Sequence, residues 1–309
     1  MVGPLGVSVR FALYLDLLLL CGLAFFVLYN FRAEWKQRDQ TLAFGWVFVV
    51  AAGIGLLLSV LSMVVLAQSM SGIDDPMQLE QHIFAMVVEG TDAGLACAVR
   101  IAALVMALLG ALSMNRWRTE ALYVVAGCAA LALATLAWGG HAAMHEGIRG
   151  YVHRSADIVH LIAAAGWIGA LAAFVMLMRP SRSATPHQIR LLSRGLTGFA
   201  AFGTVIVLAL TVSGVANYWL IVGPTINGLV STTYGQLLLT KLALFAMMLA
   251  LAAANRFHLT PKLERSLATA DYAGAIGSLR RSLAIETSAS AAILFLVAWL
   301  GTLSPPGAM

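Results

Sequence analysis

The chain has 309 residues, 61% of them hydrophobic and only 11% charged, whereas soluble globular chains carry roughly a quarter charged residues. Too few polar groups exist to cover a water-facing surface, which excludes a soluble globular protein and makes lipid the solvent. The net charge of +5 does not imply nucleic acid, because Lys and Arg gathered in loops on one side of a bilayer give the same balance.

Crossing about 30 Å of hydrocarbon takes roughly 20 residues of helix. Eight runs qualify, at 9–30, 43–67, 92–114, 120–139, 155–178, 195–220, 232–254 and 281–303. They predict an all-α, polytopic bundle of eight transmembrane helices forming a single domain over 1–309. The first run follows no basic n-region or A-x-A site and carries Asp16, so it reads as a retained helix rather than a cleaved signal peptide. Cys21, Cys97 and Cys128 each sit inside an apolar run with no CxxC, as small buried hydrophobes do.

Fourteen of the nineteen Lys and Arg fall in 31–42, 115–119, 179–194 and 255–281. These are alternate connections, and the positive-inside rule makes them cytoplasmic and both termini periplasmic. In 255–281, Leu263, Leu267 and Leu279 alternate with basic residues, which fits either a surface-lying helix or a solvated loop. No low-complexity tract, soluble domain or internal repeat is visible.

Histidines gather on the periplasmic side. His82, His141, His145, His153 and His160 fall there, and only His187 and His258 fall opposite. After the second crossing, Met63, Met70 and Met77 recur every seven residues. Asp75-Pro76 then opens a short helix that Gly90 closes, with His82, Met86 and Glu89 on one face. Methionines as ordinary core filler are the competing reading.

The fourth run ends in "GGHAAMHEG" at 139–147. If that helix continues past Gly140, then His141, Met144 and His145 share a face at i, i+3 and i+4. Neutral imidazole and thioether suit copper, the thioether favouring Cu(I) over hard cations; a polar interfacial turn is the alternative. The fifth run opens "RSADIVHLIAAAGWIGAL", in which Asp157 and His160 turn to the same side. Either His160 is a metal ligand with a carboxylate fixing its tautomer, or the pair locks helix packing. His153 joins this candidate set, whereas Trp167 reads as packing.

Asp16, Arg100 and Lys241 each lie eight or nine residues from the periplasmic end of their helices, at about 12–14 Å depth for a rise of 1.5 Å per residue. Glu286 lies nearer the inner face. A buried charge layer follows, since isolated charges at that depth are expensive. No nucleophile elbow, phosphate loop or HExxH occurs, which argues against a conventional enzyme.

Taken together, the chain resembles the copper resistance protein D (CopD/PcoD) family. The resemblance rests on "HAAMHEG" with "DIVHLIAAAGWIGAL" (157–171), and on "SGVANYWLIVGP" (213–224) with "TTYGQLLLTKLALFAMMLALAAANRFHLTP" (232–261). It also rests on the eight-helix plan, and it is most specific over 139–303. It implies an inner-membrane copper homeostasis protein that passes copper, as Cu(I) or Cu(II), from periplasm to cytoplasm alongside a separate periplasmic copper-binding partner, CopC. Two other readings stay open. Paired His could ligate b-type haem in an electron-transfer bundle, or the chain could be a scaffold that holds copper without moving it.

Overall fold

The computed structural model describes residues 4–37, 44–73, 75–139, 147–178, 186–224, 228–269 and 273–303. The described residues are helical with short connections. In chain order the α-helices are α1 (Pro4–Asn30), α2 (Arg32–Lys36), α3 (Gly45–Ser71), α4 (Gln81–Gly90), α5 (Asp92–Ser113), α6 (Arg118–Ala134), α7 (Gly147–Leu177), α8 (Pro186–Ile221), α9 (Thr233–Ala254), α10 (Thr260–Thr269) and α11 (Ala273–Leu300). Eight of these are long and apolar enough to cross a membrane, the seventh running from α9 into α10. The face of the bundle at which α1 begins is called the N-face below.

Local chemistry sets the ends. Thr91 and Thr232 cap α5 and α9, each hydroxyl accepting from the backbone N–H three residues on, at 2.9 and 3.1 Å. That bond satisfies one of the four donors a helix start leaves open. Gly72 closes α3 with φ of 72° and donates its N–H to the Gln68 carbonyl, a left-handed stop that glycine adopts without steric cost. The Asp75-Pro76 start is real but short. Asp75 accepts from Met77 N–H over a 3-10 turn at Pro76–Gln78, the chain is extended at Leu79, and α4 begins only at Gln81. Likewise the fourth crossing does not continue as α-helix to Gly140: α6 ends at Ala134 and a tighter 3-10 turn covers Thr135–Trp138.

The segment 255–281, left open between helix and loop, is helical over most of its described length. The helix from α9 passes through a π turn at Asn255–Leu259 into α10. Pro261 supplies the reason. It lacks an N–H and its ring collides with the carbonyl four residues back. The widened turn, in which Thr260 N–H donates to the Asn255 carbonyl, carries the helix around that conflict. Leu263 of α10 is then fully buried.

α1 is the hub, packed against α3, α6, α7 and α11. Its tightest crossing is with α7, where Gly22 and Gly169 bring two backbones together. A Cβ on Gly22 would stand 1.8 Å from the Ala165 carbonyl oxygen, and one on Gly169 would stand 2.0 Å from the Gly22 carbonyl carbon. In lipid, where apolar surface gains nothing by leaving the tails, such close backbone approach is what packing energy rests on. At the N-face Arg10 ties three helix ends. Its guanidinium donates to the Gly301 carbonyl beyond α11 at 2.6 Å and to the Gly139 carbonyl beyond α6 at 3.3 Å. At the opposite face Trp35 Nε1 donates to the Arg118 carbonyl at 3.1 Å and Arg118 Nε donates to the Trp35 carbonyl at 2.7 Å. The guanidinium also lies over the indole, 4.0 Å from its ring.

α8 packs on α7 and α9 on α11, and both leave most of their surface to lipid. The buried side-chain positions along α9 and its π extension are Tyr234, Met248 and Asn255, with half-buried Lys241 between the first two. These recur every seven residues, so one line, three of its four members polar, runs down the contact face of this helix, flanked by half-buried Leu237, Leu244, Phe245 and Leu249.

Gly169→Ala is expected to destabilise the protein by about 1–3 kcal/mol, the usual cost of overpacking a tight contact. Gly127→Ala, where an added Cβ meets nothing within 4 Å, is expected to be neutral or slightly stabilising. Thermal unfolding in detergent compares the two directly.

Candidate functional site

Two helices build the polar cluster in the N-face half of the bundle. His153, Asp157 and His160 follow at i, i+4 and i+7 along α7 and therefore share its face. His153 is 1% exposed. Opposite stands α8, whose Ser213 and Asn217 are themselves four apart. Asn217 Nδ2 donates to Asp157 Oδ1 at 3.3 Å, and His160 Nδ1 meets Ser213 Oγ at 3.0 Å. The two bonds form rungs of one ladder, because the i, i+3 step on α7 matches the i, i+4 step on α8.

Ser213 Oγ also lies within hydrogen-bond distance of the Ala209 and Leu210 carbonyls. When its single proton is directed at either carbonyl, Oγ accepts from His160 Nδ1, and in that tautomer Nε2 carries the lone pair. A neutral imidazole oriented through its other nitrogen is the arrangement seen in metal-ligating histidines. Gly214 packs beside the ring, where an added Cβ would make ordinary van der Waals contact with His160 Cε1 at 3.6 Å. Lys241 of α9 stands within Coulombic reach of both Asp157 and His160, and Tyr14 of α1 within reach of Asp157. Four helices thus converge on this cluster.

The other candidate residues distribute as follows. His141, Met144 and His145 lie outside the described residues. Their described neighbours are Gly139, held by Arg10, and Gly147, where α7 begins. His82 and Met86 sit on the exposed side of α4; His82 Nδ1 lies 3.1 Å from Glu80, while Ile83 and Val87 turn inward onto Ala67. Met77 is 91% exposed on the 3-10 turn, so the seven-residue methionine recurrence crosses two elements and makes no single face. Among the described residues, no group of three or more His, Cys, Asp and Glu side chains converges in metal-holding geometry.

The charges at membrane depth fall into separate patches. Asp16 and Arg100 are both buried, between α1, α3 and α5. Asp16 Oδ2 lies against Gly55, where a Cβ would approach it to 2.6 Å, and Arg100 Nη2 donates to Ser62 Oγ at 3.3 Å. Nearby Cys97 donates its thiol to the Ser59 carbonyl. Lys241 belongs with Asp157 instead. Glu286, on α11, accepts from Asn255 Nδ2 and from Ser282 Oγ. Among the described residues no ion pair joins Asp16, Arg100, Lys241 or Glu286 to one another. Trp167 packs edge-on to Phe199 at 6.0 Å.

Ser213 and Asn217 escaped the sequence reading. The signal was present, since two polar residues four apart inside an apolar helix, "SGVAN", share a face one turn long, as Asp157 and His160 do at three apart.

Comparison with known proteins adds the following. Residues 1–151 match the family model described as Copper resistance protein D-like, N-terminal domain, and residues 193–300 match that of Copper resistance protein D. The chain is 47% identical over 305 residues to Copper resistance protein D of Pseudomonas syringae pv. tomato, covering 99% of this chain and 98% of that one. It is 33% identical over 172 residues to Inner membrane protein YebZ of Escherichia coli K12, covering 55% of each chain. It is 31% identical over 176 residues to Copper transport protein CutJ of Bacillus subtilis, covering 55% of this chain and 28% of that one. No solved structure matches.

A double-mutant cycle on Asp157→Asn and Asn217→Ala is expected to show a coupling of about 0.6–1.7 kcal/mol, the range measured for hydrogen bonds between transmembrane helices. The same cycle pairing Asp157→Asn with Arg265→Ala, at an exposed position of α10, is expected to show none. Unfolding equilibria in mixed micelles provide the measurement.

Proposed function

The chain belongs to the copper resistance protein D family, and on that premise we propose that it captures copper at the periplasmic side and passes it towards the cytoplasm. Its matches and its eight spanning helices make it a multi-pass inner-membrane protein. The N-face is the periplasmic side in this reading, because fourteen of the nineteen Lys and Arg fall by sequence in 31–42, 115–119, 179–194 and 255–281, whose described residues lie towards the opposite face.

The observation that carries the proposal is the orientation of His160. Its Nδ1 is held by Ser213 Oγ at 3.0 Å, and its ring stands one turn from the Asp157 carboxylate in the N-face half. Copper is the cargo here, not a resident cofactor. His153, Asp157 and His160 form the α7 part of the capture site, and His141, Met144 and His145 supply the ligands from the preceding connection. Imidazole with thioether suits Cu(I), and imidazole with carboxylate suits Cu(II). His82 and Met86, exposed on α4, serve as an outlying contact for the incoming ion. A separate periplasmic copper-binding protein, CopC, is the donor. Lys241 stabilises the Asp157 carboxylate while the cluster is empty and, being a cation, opposes a second ion there. The haem reading draws no support from the relatives' names, two of which name copper.

Two measurements test this. Copper affinity of the purified chain, by competition with a chromogenic chelator, is expected to fall at least tenfold in His160→Ala. It is expected to fall about 10–100-fold in Ser213→Ala, the usual cost of losing a ligand's orienting partner. Unchanged affinity and stoichiometry in both would discard the site. Copper entry into proteoliposomes carrying a lumenal indicator then separates transport from scaffolding, because a scaffold binds the ion and leaves the lumen dark.

A further inference from the structure

The far half of the bundle contains a second polar centre that the copper reading does not use. A cavity of about 240 Å³ lies between α7, α8, α9 and α11. Its walls are largely aromatic and aliphatic, including Trp167, Phe174 and Phe199, but Asn255, Thr260 and Glu286 line it as well. Along α9, Asn255 is fourteen residues from Lys241, about 21 Å at 1.5 Å per residue, so this centre is far from the α7–α8 ladder.

Its donors are all oxygen. Glu286 is 2% exposed, Asn255 and Ser282 are each 7% and Thr260 is 8%. One carboxylate oxygen accepts from Asn255 Nδ2 and, at 3.5 Å, from Ser282 Oγ. Asn255 Oδ1 is buried with no hydrogen-bond partner, an orphan acceptor whose burial is costly unless something donates to it or binds it. Among the described residues no Lys, Arg or His forms an ion pair with Glu286. Arg256 lines the same cavity but its guanidinium reaches away to α8, donating to the Ala200 carbonyl at 3.1 Å and to Thr204 Oγ1 at 2.9 Å. The π turn that presents Asn255 is a backbone irregularity of the kind often found at functional sites.

We propose that Glu286 and Asn255, with the Ser282 and Thr260 hydroxyls beside them, form a binding site for a sodium-sized monovalent cation. Oxygen-only donors select a hard cation over Cu(I). One carboxylate among neutral oxygens balances a single positive charge, whereas a divalent ion would leave an uncompensated charge at membrane depth. The orphan Asn255 Oδ1 and the unpaired carboxylate are then the two ligands the site holds ready.

The proposal stands independently of copper capture, and its test contains no copper. The purified full-length chain in detergent is titrated with NaCl at constant ionic strength, choline chloride making up the balance. Two signals are read: the thermal unfolding midpoint and the fluorescence of Trp167, isolated by subtracting the Trp167→Phe variant. Saturable changes in both with sodium but not with choline are expected. Asn255→Ala is expected to weaken the apparent affinity at least tenfold, and Glu286→Gln to abolish the response. Ser62→Ala, in the α3–α5 patch, is expected to leave it unchanged. A flat sodium titration in the folded wild type overturns the proposal. So does a response that survives in both Asn255→Ala and Glu286→Gln, or one that follows pH alone and is indifferent to sodium.

Discussion

In hydrocarbon a polar side chain has no water to fall back on, and that single constraint organises this bundle. Each polar group carried into the apolar layer is expensive unless another helix answers it. The answers are what bring particular helices together. Asp157 and His160 are met by Asn217 and Ser213, which ties α7 to α8. Glu286 is met by Asn255, which ties α11 to the end of α9. Elsewhere the bundle is held by close fit, as where Gly22 and Gly169 let α1 and α7 touch through backbone atoms.

The division of labour between these two kinds of contact separates scaffold from function. The glycine crossing and the aromatic packing around Phe26, Phe31 and Phe174 fix α1 and α7 as a rigid pair. The polar ladder is built on one side of that pair, so the imidazole is oriented by a helix and not by a loop. Preorganisation of this kind would favour the proposed copper capture, since the side chain is already placed.

Much of the architecture was legible in the sequence because bilayer thickness converts directly into a run length. The first crossing was read at 9–30 and α1 spans Pro4–Asn30; the third was read at 92–114 and α5 spans Asp92–Ser113. Depth was legible only in part: Arg100 and Lys241 each stand eight residues from the start of their helices, whereas α1 begins at Pro4, so Asp16 is twelve residues in and level with Leu104, one turn beyond Arg100. Azimuth was not legible. Lys241 comes within Coulombic reach of Asp157 while Arg100 reaches Ser62, because partner choice depends on which helices are neighbours. The π turn before Pro261 was hidden for a different reason: proline announces a conflict but not which backbone irregularity will resolve it. The candidate ligands at 141–145 lie outside the described residues.

The attachment of α9 to the bundle has a mechanical consequence. Lys241, Met248 and Asn255 stand on one line, seven residues apart, so they share a heading as the helix turns. Rolling this rod by a single residue step, about 100°, would swing ammonium, thioether and amide out of the protein and into the acyl chains in unison. None could leave without the others, and the energy of stranding the ammonium and the amide in oil acts as a detent that keeps the helix in register.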